Sequence, residues 1–187
     1  MTGFLFAFIA CLLAGIGARD QLTVAGLAAR QGQRPLLLAV AVLTSVATAG
    51  IAAWAGFMVL PILAGNTNGG LILAALATAF AGGEMLLLRS KRLPDEPTQS
   101  LGATAIVLTA HQMTDAGRFF VFALAVATAA PIPAGLGGAV GGATAVTLGW
   151  MAGEALPARQ VGFARRVVGG LLLVLAAWLA LRGLGRI

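Results

Sequence analysis

Six apolar stretches, each near or above the length that crosses a bilayer, take up nearly all of this 187-residue chain. A helical span needs about 20 predominantly apolar residues. Segments at roughly 3–28, 35–63, 69–88, 101–129, 133–153 and 164–184 meet that requirement. Lipid offers no partner to backbone N–H and C=O groups, so runs of this length are confined to helices. Composition leads the same way: 59% of residues are hydrophobic and 10% charged, against about 25% charged in soluble domains. A water-soluble globule built from this chain would lack a polar coat. The expected fold is therefore all-α, a polytopic membrane protein with six transmembrane helices.

Turn-forming residues separate the runs: Arg30 to Pro35, Gly65 to Gly69, Ser90 to Gln99 with Pro94 and Pro97, Pro131 to Pro133, and Leu156 to Arg159. Basic residues alternate among these loops. Arg30 and Arg34 follow the first run, Arg89, Lys91 and Arg92 the third, and Arg159, Arg165 and Arg166 the fifth, eight in all, whereas the second and fourth loops carry no charge. The positive-inside rule then places loops one, three and five in the cytoplasm and both termini in the periplasm of a multi-pass inner-membrane protein. The charged linker, 90–100, divides the chain into a three-helix repeat over 1–89 and another over 101–187. An odd number of spans in each half makes the two enter the membrane in opposite directions, the inverted-repeat plan of many secondary transporters, whose sites lie near the midplane.

Charges inside the runs mark the candidate site. An acid near the membrane midplane costs about 2.5–3.5 kcal/mol on insertion scales and more in simulations, so Asp115 is read as a transport or proton-relay residue. On one continuous helix His111 and Asp115, four apart, share a face, and Arg118 lies on it too. Asp115 is the expected proton-coupled or cation-binding acid and the one candidate metal ligand, His111 a proton acceptor, Gln112 and Thr114 neutral ligands, and Arg118 a charge tuner. The bland alternative has Asp115 and Arg118 neutralising each other. In the first run Arg19, Asp20 and Gln21 either lie at the interface or, if the helix breaks at Gly15 or Gly17, join the site. Glu84 is expected to snorkel toward Arg89 and Arg92, and Glu154 to be a helix-end acid. The glycines of the fifth run, from Gly137 to Gly153, recur at close to four-residue intervals and predict close helix packing.

These residues carry a resemblance that spans nearly the whole chain. It resembles the Golgi and bacterial manganese/calcium cation exchanger family of the lysine-exporter superfamily, whose motif E-x-G-D-[KR]-[ST], often followed by Gln-Leu, occurs once in each half. In the first half Gly15 to Leu22 falls on the motif, with Gly17, Arg19, Gln21 and Leu22 matching. In the second half Gln112-Met113-Thr114-Asp115 falls on E-x-G-D and keeps only the aspartate. Pro61 and the stretch Gly153 to Arg159 add to the likeness. The resemblance implies a cation site of four acids, but here Gly15, Ala18 and Gln112 stand at three of those positions. Asp20 lies two residues beyond the aspartate position, roughly 200 degrees around a regular helix. Mn2+ and Ca2+ want several oxygen ligands with carboxylate charge, whereas Asp20, Asp115, Arg19 and Arg118 sum to zero, which predicts weak divalent binding.

Other classes find little support. Cys11 is the only cysteine and His111 the only histidine, and there is no tyrosine, so no intrachain disulfide, multi-cysteine metal site or nucleophilic triad is available and the chain is read as not an enzyme, with no cofactor. Phe8 to Cys11 resembles a lipoprotein cleavage site, but no basic residue precedes it, and the first run is read as a retained helix. The formal charge of +6 reflects topology rather than nucleic-acid binding. The expected partners are membrane lipid and a small cation or solute, and a homo- or hetero-oligomer is compatible with the chain. The expected function is a secondary transporter, the alternative a transport-inactive relative acting as a partner subunit.

Overall fold

A computed structural model describes residues 2–87, 100–153 and 158–186. Eight helices make up the described residues: α1 (Thr2–Gly15), α2 (Arg19–Gln31), α3 (Pro35–Val59), α4 (Thr67–Leu87), α5 (Leu101–Met113), α6 (Ala116–Thr128), α7 (Pro131–Ala152) and α8 (Ala158–Gly183). Four are long and apolar enough to cross a membrane on their own: α3, α7, and most of α4 and α8. A fifth span arises if α1 and α2, bent by 57° at their junction, count as one. Outward-facing Leu43, Trp54, Phe80, Ile106 and Leu171 are all exposed, a surface suited to lipid rather than water.

Two of the six expected spans are therefore not continuous helices. The run at 3–28 breaks at Ile16-Gly17-Ala18, where Gly17 takes φ +70, a conformation that costs glycine little and other residues more. The run at 101–129 breaks at Thr114-Asp115, because Asp115 is extended (φ −89, ψ 149) and its carboxylate accepts the N–H of Gly117 at 3.1 Å. An aspartate in that role starts a helix rather than continuing one. The reading of His111, Asp115 and Arg118 as one helical face is corrected accordingly: His111 lies in the last turn of α5, while Asp115 caps α6 and Arg118 lies in its first turn. The order is the same on both sides of the linker, a broken pair followed by two long helices.

α7 packs between α1 on one side and α3 and α6 on the other. Its glycines make this possible. A Cβ at Gly137 would overlap the carbonyl oxygen of Phe4, one at Gly141 would come within 2.5 Å of the Phe8 carbonyl, and one at Gly142 within 2.6 Å of Ser45 Oγ. α4 and α8 meet through a similar exchange, Gly82 lying against the carbonyl of Gly169 and Gly169 against that of Gly82. Close backbone approach through small residues is how helices gain van der Waals contact in lipid, which has no hydrophobic force to offer.

Candidate functional site

A helix that breaks leaves its last carbonyls without intrahelical partners, and in lipid no water supplies them. At the end of α1 the carbonyls of Leu13 and Gly15 are taken by the N–H groups of Ile16 and Ala18. Those of Ala14 and Ile16 both accept from Nη1 of Arg165, on α8. Gln21 closes the rest of the bend: its Oε1 accepts the N–H of Gly17 at 2.7 Å and its Nε2 donates to the Ala145 carbonyl at 2.8 Å. The second break is served from the opposite direction. Arg19, the first residue of α2, donates through Nη2 to Thr114 Oγ1 at 2.8 Å and to the Thr114 carbonyl at 3.5 Å. Each broken helix thus ends on an arginine from the other half of the chain.

Glu84 lies between the two arginines. It is buried on α4, its Oε2 2.7 Å from Arg165 Nη2 and its Oε1 3.8 Å from Arg19 Nε. The expectation that Glu84 snorkels to Arg89 and Arg92 is corrected: with a guanidinium already inside the bundle, the carboxylate has a partner there. Arg165 is likewise not a loop residue but a buried one, which removes one of the eight positive charges counted for the cytoplasmic side. The same Nη2 of Arg165 is 4.0 Å from Asp115 Oδ1. Among the described residues the guanidinium nearest Asp115 is thus that of Arg165, and not that of Arg118 as the bland alternative supposed. Asp115 Oδ2 caps α6, while among the described residues Asp115 Oδ1 and Glu84 Oε1 are buried without a hydrogen-bond partner.

Of the remaining candidates, Asp20 and Gln21 are buried rather than interfacial, and Arg19 is partly so. The break at Gly17 is what turns them inward. Asp20 Oδ1 accepts the N–H of Gln21 at 2.8 Å. Arg118, also buried, points away from the acids into α3, donating to Thr48 Oγ1 at 2.8 Å, Ser45 Oγ at 2.9 Å and the Ser45 carbonyl at 3.1 Å. Gln112 joins that second cluster, its Oε1 accepting from Thr48 at 3.4 Å. His111 is partly exposed with Nδ1 unpartnered. Glu154 falls outside the described residues.

The predicted residues thus divide. Arg19, Thr114 and Asp115 come together with Glu84 and Arg165, which sequence reasoning missed as site residues, and Gln112 and Arg118 form a separate cluster with Ser45 and Thr48. The signal for Glu84 and Arg165 was present: an acid in the third apolar run and an arginine at the start of the sixth. Asp20, Glu84 and Asp115 balance Arg19, Arg118 and Arg165, so the whole layer is formally neutral. Among the described residues no three His, Cys, Asp or Glu side chains gather so as to hold a metal ion. A cavity of about 660 Å3 beside Trp54, Phe57 and Ile132 is lined by apolar groups and touches none of these residues. No protein-family model matches this chain, and neither a curated protein nor a solved structure matches it.

Proposed function

We propose that this protein is a proton-coupled secondary transporter of the inner membrane, with α5 and α6 as a sixth, broken span and the two halves as inverted three-span repeats. One observation carries the reading: two interrupted spans end against each other at a buried ionic cluster in which two carboxylate oxygens, Asp115 Oδ1 and Glu84 Oε1, have no hydrogen-bond donor among the described residues. Broken helices inside a membrane are tolerated where protein or a cavity meets their ends, and in transporters such ends form the site. A buried acceptor without a donor is costly, and a proton supplies one. Asp115 and Glu84 are the proton-carrying acids in this scheme, and Arg19 and Arg165 hold whichever is ionised. Rocking one half against the other changes which arginine faces which acid, so proton affinity and conformation become linked. The two arginines against these acids, Arg19 and Arg165, favour a proton over a divalent cation at this site, and the co-transported species is a small solute.

Reconstitution into proteoliposomes with an internal pH-sensitive dye tests the reading. Wild-type protein carries protons when a solute gradient is imposed, and Asp115→Asn and Glu84→Gln each reduce the flux at least about 10-fold. Flux no greater than in empty liposomes across a panel of cations, amino acids and anions would leave the partner-subunit role in its place.

A further inference from the structure

The cluster around Arg118 has a surplus of donors and of positive charge. Arg118 lies in the first turn of α6 and is buried, yet among the described residues no carboxylate lies within 4.0 Å of it. Its three hydrogen bonds end on neutral oxygens of Ser45 and Thr48. Gln112, fully buried beside it, has its oxygen engaged by Thr48 and its Nε2 without an acceptor. The N-terminal end of a helix adds a partial positive charge to the same place. A buried arginine in a membrane is expensive unless a partner offsets it; Glu84 and Asp115 are drawn to Arg165 and Arg19, and Asp20 accepts the N–H of Gln21.

We infer that this cluster is the solute site and that it takes a small monoanion bearing acceptor oxygens. The inference rests on the transporter reading for its role in transport, though not for the binding itself. An oxyanion displaces the Ser45 and Thr48 oxygens from the guanidinium fork, exchanging neutral acceptors for a charged one, and charge-assisted bonds are roughly twice as strong. A second oxygen of the anion accepts from Gln112 Nε2. Gly142 is what admits the fork, since a Cβ there would lie 2.9 Å from Arg118 Nη1. The anion's charge offsets Arg118 locally, and because the whole layer is already formally neutral, a proton taken up on Glu84 or Asp115 keeps it so when the anion is bound. Proton and anion then occupy adjoining clusters on either side of the α6 N-terminus, which favours their moving together.

Isothermal titration calorimetry on detergent-solubilised protein, with sodium nitrate, formate and chloride titrated into a bulky-anion buffer, tests the site. Nitrate and formate are expected to bind in preference to chloride. Gln112→Met, which keeps the volume and removes the amide donor, weakens binding about 10-fold, the loss of one hydrogen bond to a charged group. Arg118→Lys keeps the charge but loses the fork and weakens it at least as much. Gel filtration verifies that each variant is folded, and Gln112→Glu, expected to abolish binding by charge, serves if the methionine variant is not. Absence of heat with all three salts, or an affinity unchanged in Gln112→Met, overturns the inference. Anion binding with no proton flux for any solute of the panel would sink the transporter reading and leave the site. Proton flux driven by other solutes, with no anion bound, would do the reverse.

Discussion

The pair formed by Glu84 and Arg165 invites a double-mutant cycle. Glu84→Leu leaves the Arg165 guanidinium buried with its nearest carboxylate 4.0 Å away at Asp115, and removing one member of a buried ion pair costs about 3–5 kcal/mol. Arg165→Leu strands Glu84 in the same way, and also leaves the carbonyls of Ala14 and Ile16 without a donor. The two single changes, were they independent, would sum to at least about 6 kcal/mol. In the double variant neither charge of the pair remains, but Asp115 loses the guanidinium 4.0 Å away, as it does in Arg165→Leu, and the two carbonyls still lack their donor, each worth about 1–3 kcal/mol. On the two carbonyls the double variant is therefore expected about 2–6 kcal/mol below wild type, and because the Arg165→Leu single variant carries the same carbonyl loss, the recovery appears as a coupling energy of several kcal/mol. Reversible unfolding in mixed micelles, followed by tryptophan fluorescence, gives the four free energies. Additive losses, with no recovery in the double variant, would refute the pairing and with it the placement of both residues inside the bundle.

Four further outcomes follow from the same geometry. Asp115→Asn keeps a good helix cap, so its stability stays within a few tenths of a kcal/mol of wild type on capping grounds, whereas Asp115→Ala loses about 1 kcal/mol more; equal melts for the two would show that the carboxylate does not start α6. Gly141→Ala, whose methyl would lie 2.5 Å from the Phe8 carbonyl, destabilises by about 1–3 kcal/mol, while Gly50→Ala, with nothing within 4 Å, is neutral or stabilising; thermal melts that rank them the other way would contradict the α1–α7 packing. A topology reporter fused after Ile187 is expected in the periplasm and one near Pro94 in the cytoplasm; both on the same side would mean that the second half does not have three spans, and the two exchanged would mean that the orientation is inverted. Calorimetry with Mn2+ and Ca2+ is expected to show no tight site, and micromolar binding lost in Asp115→Asn would restore divalent exchange.

Hydropathy made the helical, membrane-embedded character legible because it averages over a window about as long as a span. The same averaging hid the breaks. Two or three residues at Ile16-Gly17-Ala18 or Thr114-Asp115 scarcely alter a mean taken over twenty, although Gly17 and the Asp115 cap carry local signals that a helix boundary needs. Asp115, Arg19 and Thr114 were readable as candidates since a polar group deep in an apolar run has few innocent explanations, and the structure brings the three into one cluster. Glu84 was misread because its distance along the chain from Arg89 is short, whereas its actual partner, Arg165, is 81 residues away. Pairing across that separation is decided by how α4 and α8 pack, which no local pattern encodes.

The exchange of arginines between the two broken helices also bears on how the protein is made. A chain enters the membrane from its N-terminus, so α1 is in place long before α8 is synthesised. Until Arg165 arrives, the carbonyls of Ala14 and Ile16 have no donor in the finished arrangement, and Glu84 lacks its closest counter-ion. The first half must therefore wait in some other form, with the break kept near the headgroups or spanned by continuous helix, and take up its bent shape only when the last helix docks. Chain completion, not insertion of the early spans, is the event that commits this protein to its fold, and a chain cut short before Arg165 would present the cell's quality control with an unsatisfied helix end and an unpaired acid in lipid.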